Sequence, residues 1–409
     1  MTKTVKLALI ALVIGVVNAV MFKLFELVAT NGTNWLWNDL FHSDTNRWLV
    51  IPLAVGLGIL FSAVIRGFGE KRWVKPKTDL MAEEGEQPHT LEAMGVILAI
   101  GAASLLAGAS LGPEMPLTGA SMALGAWVTY RLKKKELGQL LILVSFGALM
   151  VSFFGSLLVG LLPLLVIYKK TKKLPGMAVL MVTIASLAAY GVIQLIDHAN
   201  PGYGTIPAVP AEHFQDYIAA AVVGLLAAGV AFLLKGGIQR FAGLTKRLDG
   251  KVHWLVSAGV FGLVLGIIYL LGGSTVEFSG SIGTHLLVQN APTYGLWTLL
   301  GLVVAKLFAT VWSMASGYRG GMVFPSVYMG VALGLFLGTA ISALAGSGAM
   351  IGGVAGVFGA ITGSPVVAFL FIASLLPLKL LGVAVAAILG AAVGERLVGN
   401  FLPKPQPAK

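Results

Sequence analysis

The sequence lacks cysteine altogether and is poor in charged residues. Only 11% of its 409 residues are Asp, Glu, Lys or Arg, and 57% are hydrophobic, whereas a soluble domain carries roughly a quarter of its residues as charged ones. Without cysteine there are no disulfides, thiolate metal ligands or cysteine nucleophiles. The chain also lacks a Ser-, Pro- or Gln-rich linker. These absences predict an integral membrane protein whose residues 1–409 form one transmembrane domain.

The basic residues that are present cluster strongly. Of 28 Lys and Arg, 23 lie near the N-terminus and in 66–77, 131–135, 169–173, 235–251 and 396–409. Such clustering in short segments between apolar stretches is typical of cytoplasmic loops, so these segments and both termini are predicted to be cytoplasmic. The net charge of +11 then reflects orientation, and a nucleic-acid partner is not expected. The base-poor segments 24–46 and 196–216 are predicted to be outside loops.

The apolar stretches predict an all-α protein. They run at about 7–22, 48–65, 91–129, 139–168, 176–196, 217–235, 252–272, 294–314, 322–345, 349–376 and 378–394. Several are too long for one span of about 20 residues and too short for two. Gly and Pro interrupt them at 112–116, 155, 163, 320–321, 325 and 363–365. This pattern is typical of tilted, discontinuous helices that end inside the membrane. The first stretch also resembles a signal peptide, although an uncleaved first span gives the same targeting.

An internal repeat relates the two halves. Without a gap, 112–125 aligns with 321–334 and matches a glycine, a proline and an Ala-Leu-Gly run. The first copy is followed by basic residues, whereas Lys379 is the single basic residue in the corresponding stretches of the second copy. We therefore predict a first repeat over 45–200, an inverted second repeat over 215–400 and a short cytoplasmic tail over 401–409. Inverted repeats with broken helices are typical of transporters.

Each repeat places a Gly-x-x-x-Pro turn at the start of a helix. A helix N-terminus offers backbone N–H groups and the positive end of a dipole, so two such turns favour an anion. The predicted anion-binding residues are Gly112, Pro113, Met115, Pro116, Gly320, Gly321, Met322, Val323, Phe324 and Pro325. Glu114 is the single acidic residue between Glu92 and Glu136. A carboxylate at this point could occupy the anion's place and leave it on protonation, or it could merely cap the helix.

Other features allow different interpretations. Ser110 lies in a G-x-S-x-G pattern that is typical of hydrolases when a strand precedes it and a histidine assists it. The six histidines lie in or near predicted loops, so we favour a small-residue helix contact as the explanation of the pattern. Arg319 could add positive potential to an anion path or reach the membrane surface. The tryptophans at 35, 37, 48 and 73 are predicted to be interfacial anchors. A cation pore would need acidic rings, whereas the predicted inner face is basic.

Two motifs carry a resemblance to a known family. The stretch 316–325, SGYRGGMVFP, resembles the G-x-F-x-P region of the CLC chloride channels and chloride/proton exchangers, and 112–116, GPEMP, resembles their G-[KR]-E-G-P motif. A divergent bacterial branch described as ion-transport proteins shares these variants. The resemblance implies a CLC-like inverted-repeat bundle, a homodimer with one anion path in each subunit, a gate at Glu114, and backbone N–H donors at Met322 and Val323.

The chain departs from the family pattern at three places. The G-S-G-I-P turn, whose serine contacts the anion, falls at 72–76, where only the proline remains. The tyrosine of the family falls near Phe401, a residue that we include in the possible anion path. The inner proton glutamate falls at Val166-Ile167. Fewer hydroxyl groups predict altered anion selectivity, and the missing inner carboxyl favours a channel or an uncoupled carrier.

The sequence therefore predicts a multi-pass protein of the bacterial inner membrane that transports an inorganic anion, chloride by default, and is not an enzyme. No cofactor or metal is expected. A fluoride or other small-anion exporter of the same fold is the first alternative, and an intramembrane serine hydrolase using Ser110 is the second.

Overall fold

The computed structural model of the chain describes residues 3–43, 45–69, 90–197 and 213–399. In these ranges no strand forms, and nine segments are long and apolar enough to cross a membrane. The protein is an all-α integral membrane protein. Its helices are α1 (Lys3–Glu26), α2 (Gly32–Asn34), α3 (Val50–Val64), α4 (Leu91–Leu106), α5 (Glu114–Leu132), α6 (Gly138–Phe154), α7 (Leu162–Thr171), α8 (Gly176–Asp197), α9 (Phe214–Lys251), α10 (Trp254–Gly272), α11 (Ser281–Gln289), α12 (Leu296–Ala315), α13 (Val323–Ala340), α14 (Ser347–Thr362), α15 (Pro365–Leu375) and α16 (Leu381–Gly399).

The predicted helix breaks are confirmed, and local backbone chemistry explains them. Gly155 and Gly363 end α6 and α14 with φ values of 63° and 62°, a left-handed conformation that glycine adopts without strain. Pro163 and Pro365 lie in the first turns of α7 and α15, where a missing N–H has no intrahelical partner to lose. Each long apolar stretch is thereby divided into two shorter helices.

The prediction of a loop over 24–46 is wrong for most of that range. Helical backbone continues from α1 to Leu40, partly through wider π-type turns. Trp37 is fully buried, so it is not an interfacial anchor, whereas Trp35 and Trp48 are exposed; position 73 lies outside the described residues. The indole of Trp37 donates a hydrogen bond to the carbonyl of Leu106. This tertiary contact stabilises a segment whose polar composition suggested a loop.

Two further expectations need correction. The basic segment 235–251 is not a short loop, because α9 continues unbroken through it to Lys251. The short helix α11 was not expected, since its nine residues include polar ones. The other long helices agree with the predicted apolar stretches.

The chain forms two compact units. The first contains Met1–Thr205, His253–Gly266 and Tyr318–Gly321, and the second contains the remaining segments. In the first unit, α1 packs on α6 and α8, and α5 packs between α4 and α6. Asn18 of α1 donates to the hydroxyl of Ser145, which in turn donates to the carbonyl of Ser121. These buried bonds link three helices by polar groups that would be expensive to leave unsatisfied.

The second unit is organised around α9, which packs on α14 and α16. Glycines bring the backbones together: a Cβ added to Gly353 would lie 1.9 Å from the carbonyl oxygen of Gly330. Such close approach is typical of helix pairs in membranes, where dispersion contacts replace the hydrophobic effect as the driving force.

A buried lysine also belongs to the second unit. Lys306 of α12 is fully buried, and its ammonium donates to the carbonyls of Val276 and Phe278 at 2.9 and 2.6 Å. The ammonium also lies 5.2 Å from the ring centroid of Tyr328, within the range of a cation–π contact. These contacts fix the segment between α10 and α11 against α12.

The glycine contacts predict unequal costs for the same substitution. Gly353→Ala places a methyl group against backbone and should destabilise the protein by about 1–3 kcal/mol, lowering the melting temperature in detergent by roughly 1–4 °C. Gly301→Ala on α12 is the matched control, because no atom lies within 4 Å of the added Cβ. Equal melting temperatures for the two variants, measured by scanning fluorimetry, would contradict the packing argument.

Candidate functional site

The turns that precede α5 and α13 contain a pair of mutually hydrogen-bonded glycines. The N–H of Gly112 donates to the carbonyl of Gly321 at 2.9 Å, and the N–H of Gly321 donates to the carbonyl of Gly112 at 2.8 Å. Both residues are buried and belong to the first unit. Their N–H groups are occupied by each other, so in this arrangement the two glycines position the site rather than donate to an anion.

Glu114 lies directly over this glycine pair. Its side chain is only 8% exposed and belongs to the first residue of α5. A Cβ added to Gly112 would lie 1.9 Å from Oε2 of Glu114, and a Cβ added to Gly321 would lie 2.1 Å from Oε1. The carboxylate therefore fills the space that these two residues leave by having no side chain. Any larger residue at either position would displace it.

Neighbouring contacts hold the second turn in place. The N–H of Arg319 donates to the hydroxyl of Ser104 at 2.8 Å, and Gly320 packs so closely on Leu111 that an added Cβ would lie 2.5 Å from the Cβ of Leu111. Tyr318 is buried, and its ring stacks on Phe61 with a centroid distance of 5.0 Å. These contacts join residues 318–321 to α3 and α4.

Sequence analysis named Arg319 and Gly320 and included Tyr318 in the 316–325 motif, but it did not identify Ser104 or Phe61. Ser104 is one of several serines in apolar helices, and Phe61 is far from Tyr318 in sequence, so no local pattern marks their contacts. Gly108 has a φ of 88° and packs on the ring of Trp37. Gly108 is a signal that the sequence offers for these contacts, because it precedes the turn. It was interpreted only as part of a small-residue helix contact.

The remaining predicted residues lie at helix starts or outside the described residues. Pro113 precedes α5, and Met115 and Pro116 lie in its first turn. In the second unit Met322 precedes α13, Val323 to Pro325 form its first turn, and the hydroxyl of Ser326 donates to the carbonyl of Met322. Phe401 and 72–76 lie outside the described residues. Val166 and Ile167 lie in α7.

A first-turn position on α5 fits an anion site physically. The first N–H groups of a helix have no intrahelical acceptor, and here they belong to Glu114 and Met115, since Pro116 has no N–H. The aligned peptide dipoles favour negative charge at this end. A negative group bound here therefore needs no side-chain cation beside it, and Glu114 is the first residue of this helix.

Comparison with known proteins identifies the family to which the chain belongs. The family model described as "Voltage gated chloride channel" matches residues 74–395, which is well over half of the chain and includes both turns. The chain belongs to the voltage gated chloride channel family. It is 27% identical over 345 residues to "Putative ion-transport protein YfeO" of Escherichia coli O1:K1, covering 81% of this chain and 78% of the relative. The protein of the same name from Salmonella newport is 27% identical over 348 residues, covering 83% and 82%.

Solved structures of CLC proteins share the fold. A slow cyanobacterial Cl⁻/H⁺ antiporter superposes with a TM-score of 0.77 at 16% identity, covering 98% of this chain and 96% of that one. A CLC-type fluoride/proton antiporter superposes with a TM-score of 0.75 at 18% identity, covering 97% and 96%. The predicted CLC-like architecture is confirmed by these matches.

The serine hydrolase alternative is not supported. Ser110 follows the helix α4, whereas the G-x-S-x-G elbow needs a strand before the nucleophile. Members of the CLC family are transporters or channels.

The close packing of Gly320 predicts that the glycine pair depends on it. In Gly320→Ala the added methyl group would meet Leu111 and lie 2.9 Å from the carbonyl oxygen of Gly112, so the two backbone hydrogen bonds should weaken. We expect faster hydrogen–deuterium exchange in the peptide that contains Gly112. Gly295→Ala, where no atom lies within 4 Å of the added Cβ, should leave that peptide unchanged. Identical exchange in both variants would show that the pairing does not need a glycine at 320.

Proposed function

We propose that this protein carries small inorganic anions across the membrane, with chloride as the default ion and Glu114 as the gate. The observation that carries the proposal is the position of the Glu114 carboxylate over Gly112 and Gly321. Family membership supports anion transport in general, and the two antiporters of the same fold are described by chloride and by fluoride.

The proposed gate works by competition between two negative groups. The first turn of α5 attracts negative charge, and the carboxylate of Glu114 is a tethered group of that kind. While it remains in place, a free anion meets both a filled space and a like charge. Protonation removes that charge, which weakens the attraction to the helix start and lets the side chain leave. The space over the glycines then becomes available to an anion.

We also propose that anion transport by this protein is not obligatorily coupled to proton transport. The position that corresponds to the inner proton glutamate is occupied by Val166 and Ile167, and an aliphatic side chain cannot carry a proton. Both solved relatives quoted above are described as proton antiporters, so this chain is proposed to differ from them. A simultaneous measurement of anion and proton flux in liposomes tests this point, because a fixed flux ratio would refute uncoupled transport.

Fluoride is the second candidate ion. Two observations favour fluoride: the similarity to a fluoride/proton antiporter and the missing serine at 72–76. With fewer hydroxyl donors, the protein replaces fewer of the hydrogen bonds that an anion loses on dehydration, and this loss differs from one anion to another. A panel of chloride, bromide, nitrate and fluoride in the same liposomes ranks the candidates. If only fluoride is transported, fluoride becomes the proposed ion and the proposed role of Glu114 is unchanged.

Replacement of the gate by a neutral isostere gives the decisive experiment. In the parent protein, anion efflux from liposomes should rise as the pH falls from 8 to 4, because protonated Glu114 releases the site. Glu114→Gln should be several-fold faster than the parent at pH 7.5 and nearly independent of pH, since an amide has no charge to lose.

A second carboxylate beside the same helix provides the control. Glu136 is exposed in the short turn that follows α5, so Glu136→Gln should keep the parent's pH dependence. A Glu114→Gln variant indistinguishable from the parent would reduce Glu114 to a helix cap. If no anion is transported between pH 4 and 8, the transport proposal itself is refuted.

We also propose a homodimer in the bacterial inner membrane with both termini in the cytoplasm and with inverted repeats over 45–200 and 215–400. The distribution of basic residues supports the orientation. Because the chain has no cysteine, single introduced cysteines report it cleanly. Thr45→Cys should react with a membrane-impermeant maleimide in intact cells, whereas Lys134→Cys should react only after permeabilisation. The opposite pattern would reverse the orientation.

A further inference from the structure

The second unit contains a cavity of about 440 Å³ between α9, α16 and the turn that joins α14 to α15. Its polar lining includes Lys235 of α9 and both Glu395 and Arg396 of α16. The formal charge of these three groups is +1. The cavity lies away from Glu114 in sequence and plays no part in the proposed gate.

Lys235 is held at the cavity wall by a specific bond. Its ammonium donates to the carbonyl of Ala360, in the last turn of α14, at 2.6 Å. One acceptor uses one of the three N–H donors of an ammonium, so the group retains donors for a ligand. Pro365, the first residue of α15, also lines the cavity. The positive end of the α15 dipole therefore lies at the same wall as the lysine.

The length of α9 locates this lysine at a membrane boundary. From Phe214 to Lys235 the helix rises about 32 Å, close to the roughly 30 Å thickness of the hydrocarbon core. The remaining residues to Lys251 extend about 24 Å farther and carry the cluster of basic side chains that predicts the cytoplasmic side. Arg396 lies in the last turn of α16. The two cations of the cavity therefore lie where the headgroups of the inner leaflet would be.

The rest of the cavity is apolar. Ala228, Ala231, Phe232 and Ala392 line it, and the first three lie on the part of α9 that we place inside the hydrocarbon. A free phosphate ion would contact the cations and gain nothing from these side chains. An amphiphile would place its charge at Lys235 and Arg396 and its chain along the apolar wall.

We propose that this cavity binds an anionic phospholipid of the inner leaflet, with the headgroup phosphate between Lys235 and Arg396 and part of an acyl chain against Phe232. Basic pockets between transmembrane helices on the cytoplasmic side are suited to such headgroups. Glu395 lowers the affinity of this site for the lipid, because its carboxylate repels the phosphate. A zwitterionic lipid has no net charge to be attracted and binds more weakly.

The proposal is tested by titrating the detergent-purified protein with phosphatidylglycerol and measuring binding by native mass spectrometry, with phosphatidylcholine and inorganic phosphate as separate arms. Lys235→Gln and Arg396→Gln should each weaken phosphatidylglycerol binding about fivefold, since one basic residue near a phosphate contributes about 1 kcal/mol. Glu395→Gln should strengthen binding by a similar factor. Arg240→Gln is the control, because Arg240 is exposed on α9 and does not line the cavity.

The opposite signs of the effects distinguish a site from general charge. Equal weakening in Lys235→Gln, Arg396→Gln and Arg240→Gln would overturn the proposal, because it would indicate attraction to the whole basic surface. Inorganic phosphate that displaces the lipid at equal concentration would also overturn it, in favour of a free anion site. Lys235→Gln loses the bond to Ala360 as well, so Arg396→Gln and Glu395→Gln decide the outcome if that variant is unstable.

Discussion

The candidate site depends on two glycines that hydrogen-bond to each other through their backbones. Gly112 and Gly321 come from the two halves of the sequence, and each lies two positions before the first residue of a helix. The position of the Glu114 carboxylate requires that neither glycine has a side chain, because the carboxylate occupies the space that a Cβ would fill. Both glycines are buried, and a buried hydrogen bond is stronger than one exposed to solvent, so these two bonds help to fix the turns. The position of the Glu114 carboxylate is therefore tied to this backbone pairing, and the glycines that align between 112–125 and 321–334 are the sequence signature of the pairing.

Much of this arrangement could be predicted from the sequence because the rules involved are local. Glycine and proline break helices for steric and hydrogen-bonding reasons that do not depend on the rest of the fold, so the breaks at Gly155, Pro163 and Gly363 were predictable. A lone acid in an apolar stretch is expensive, which marked Glu114. The alignment of the two halves then paired Gly112 with Gly321 before any contact was known.

What could not be predicted is set by tertiary contacts. The polar stretch around Trp37 forms a helix because the indole binds the carbonyl of Leu106, and no local pattern contains that carbonyl. Likewise, the basic segment after Lys235 looked like a loop, although Lys and Arg are good helix formers and α9 continues through it. The stacking of Tyr318 on Phe61 joins residues whose sequence positions are unrelated. In each case the amino-acid composition indicates how polar the segment is, but it does not identify the residue that the segment contacts in the fold.

The ionisable side chains of Lys306, Lys235, Arg396 and Glu114 lie in three different kinds of environment. Lys306 is fully enclosed and bound by two carbonyls and an aromatic face, so moving it would leave several groups unsatisfied and it is suited only to hold structure. Lys235 is half-buried and Arg396 is exposed, so polar groups outside the protein can share their charge. Glu114 differs from both, because its neighbours are glycines that provide space and a helix start whose attraction is not specific to a carboxylate. A charged group can act as a gate only if a mobile ion can take its place, and we propose Glu114 as the gate because the two glycines beside it have no side chains to fill that place.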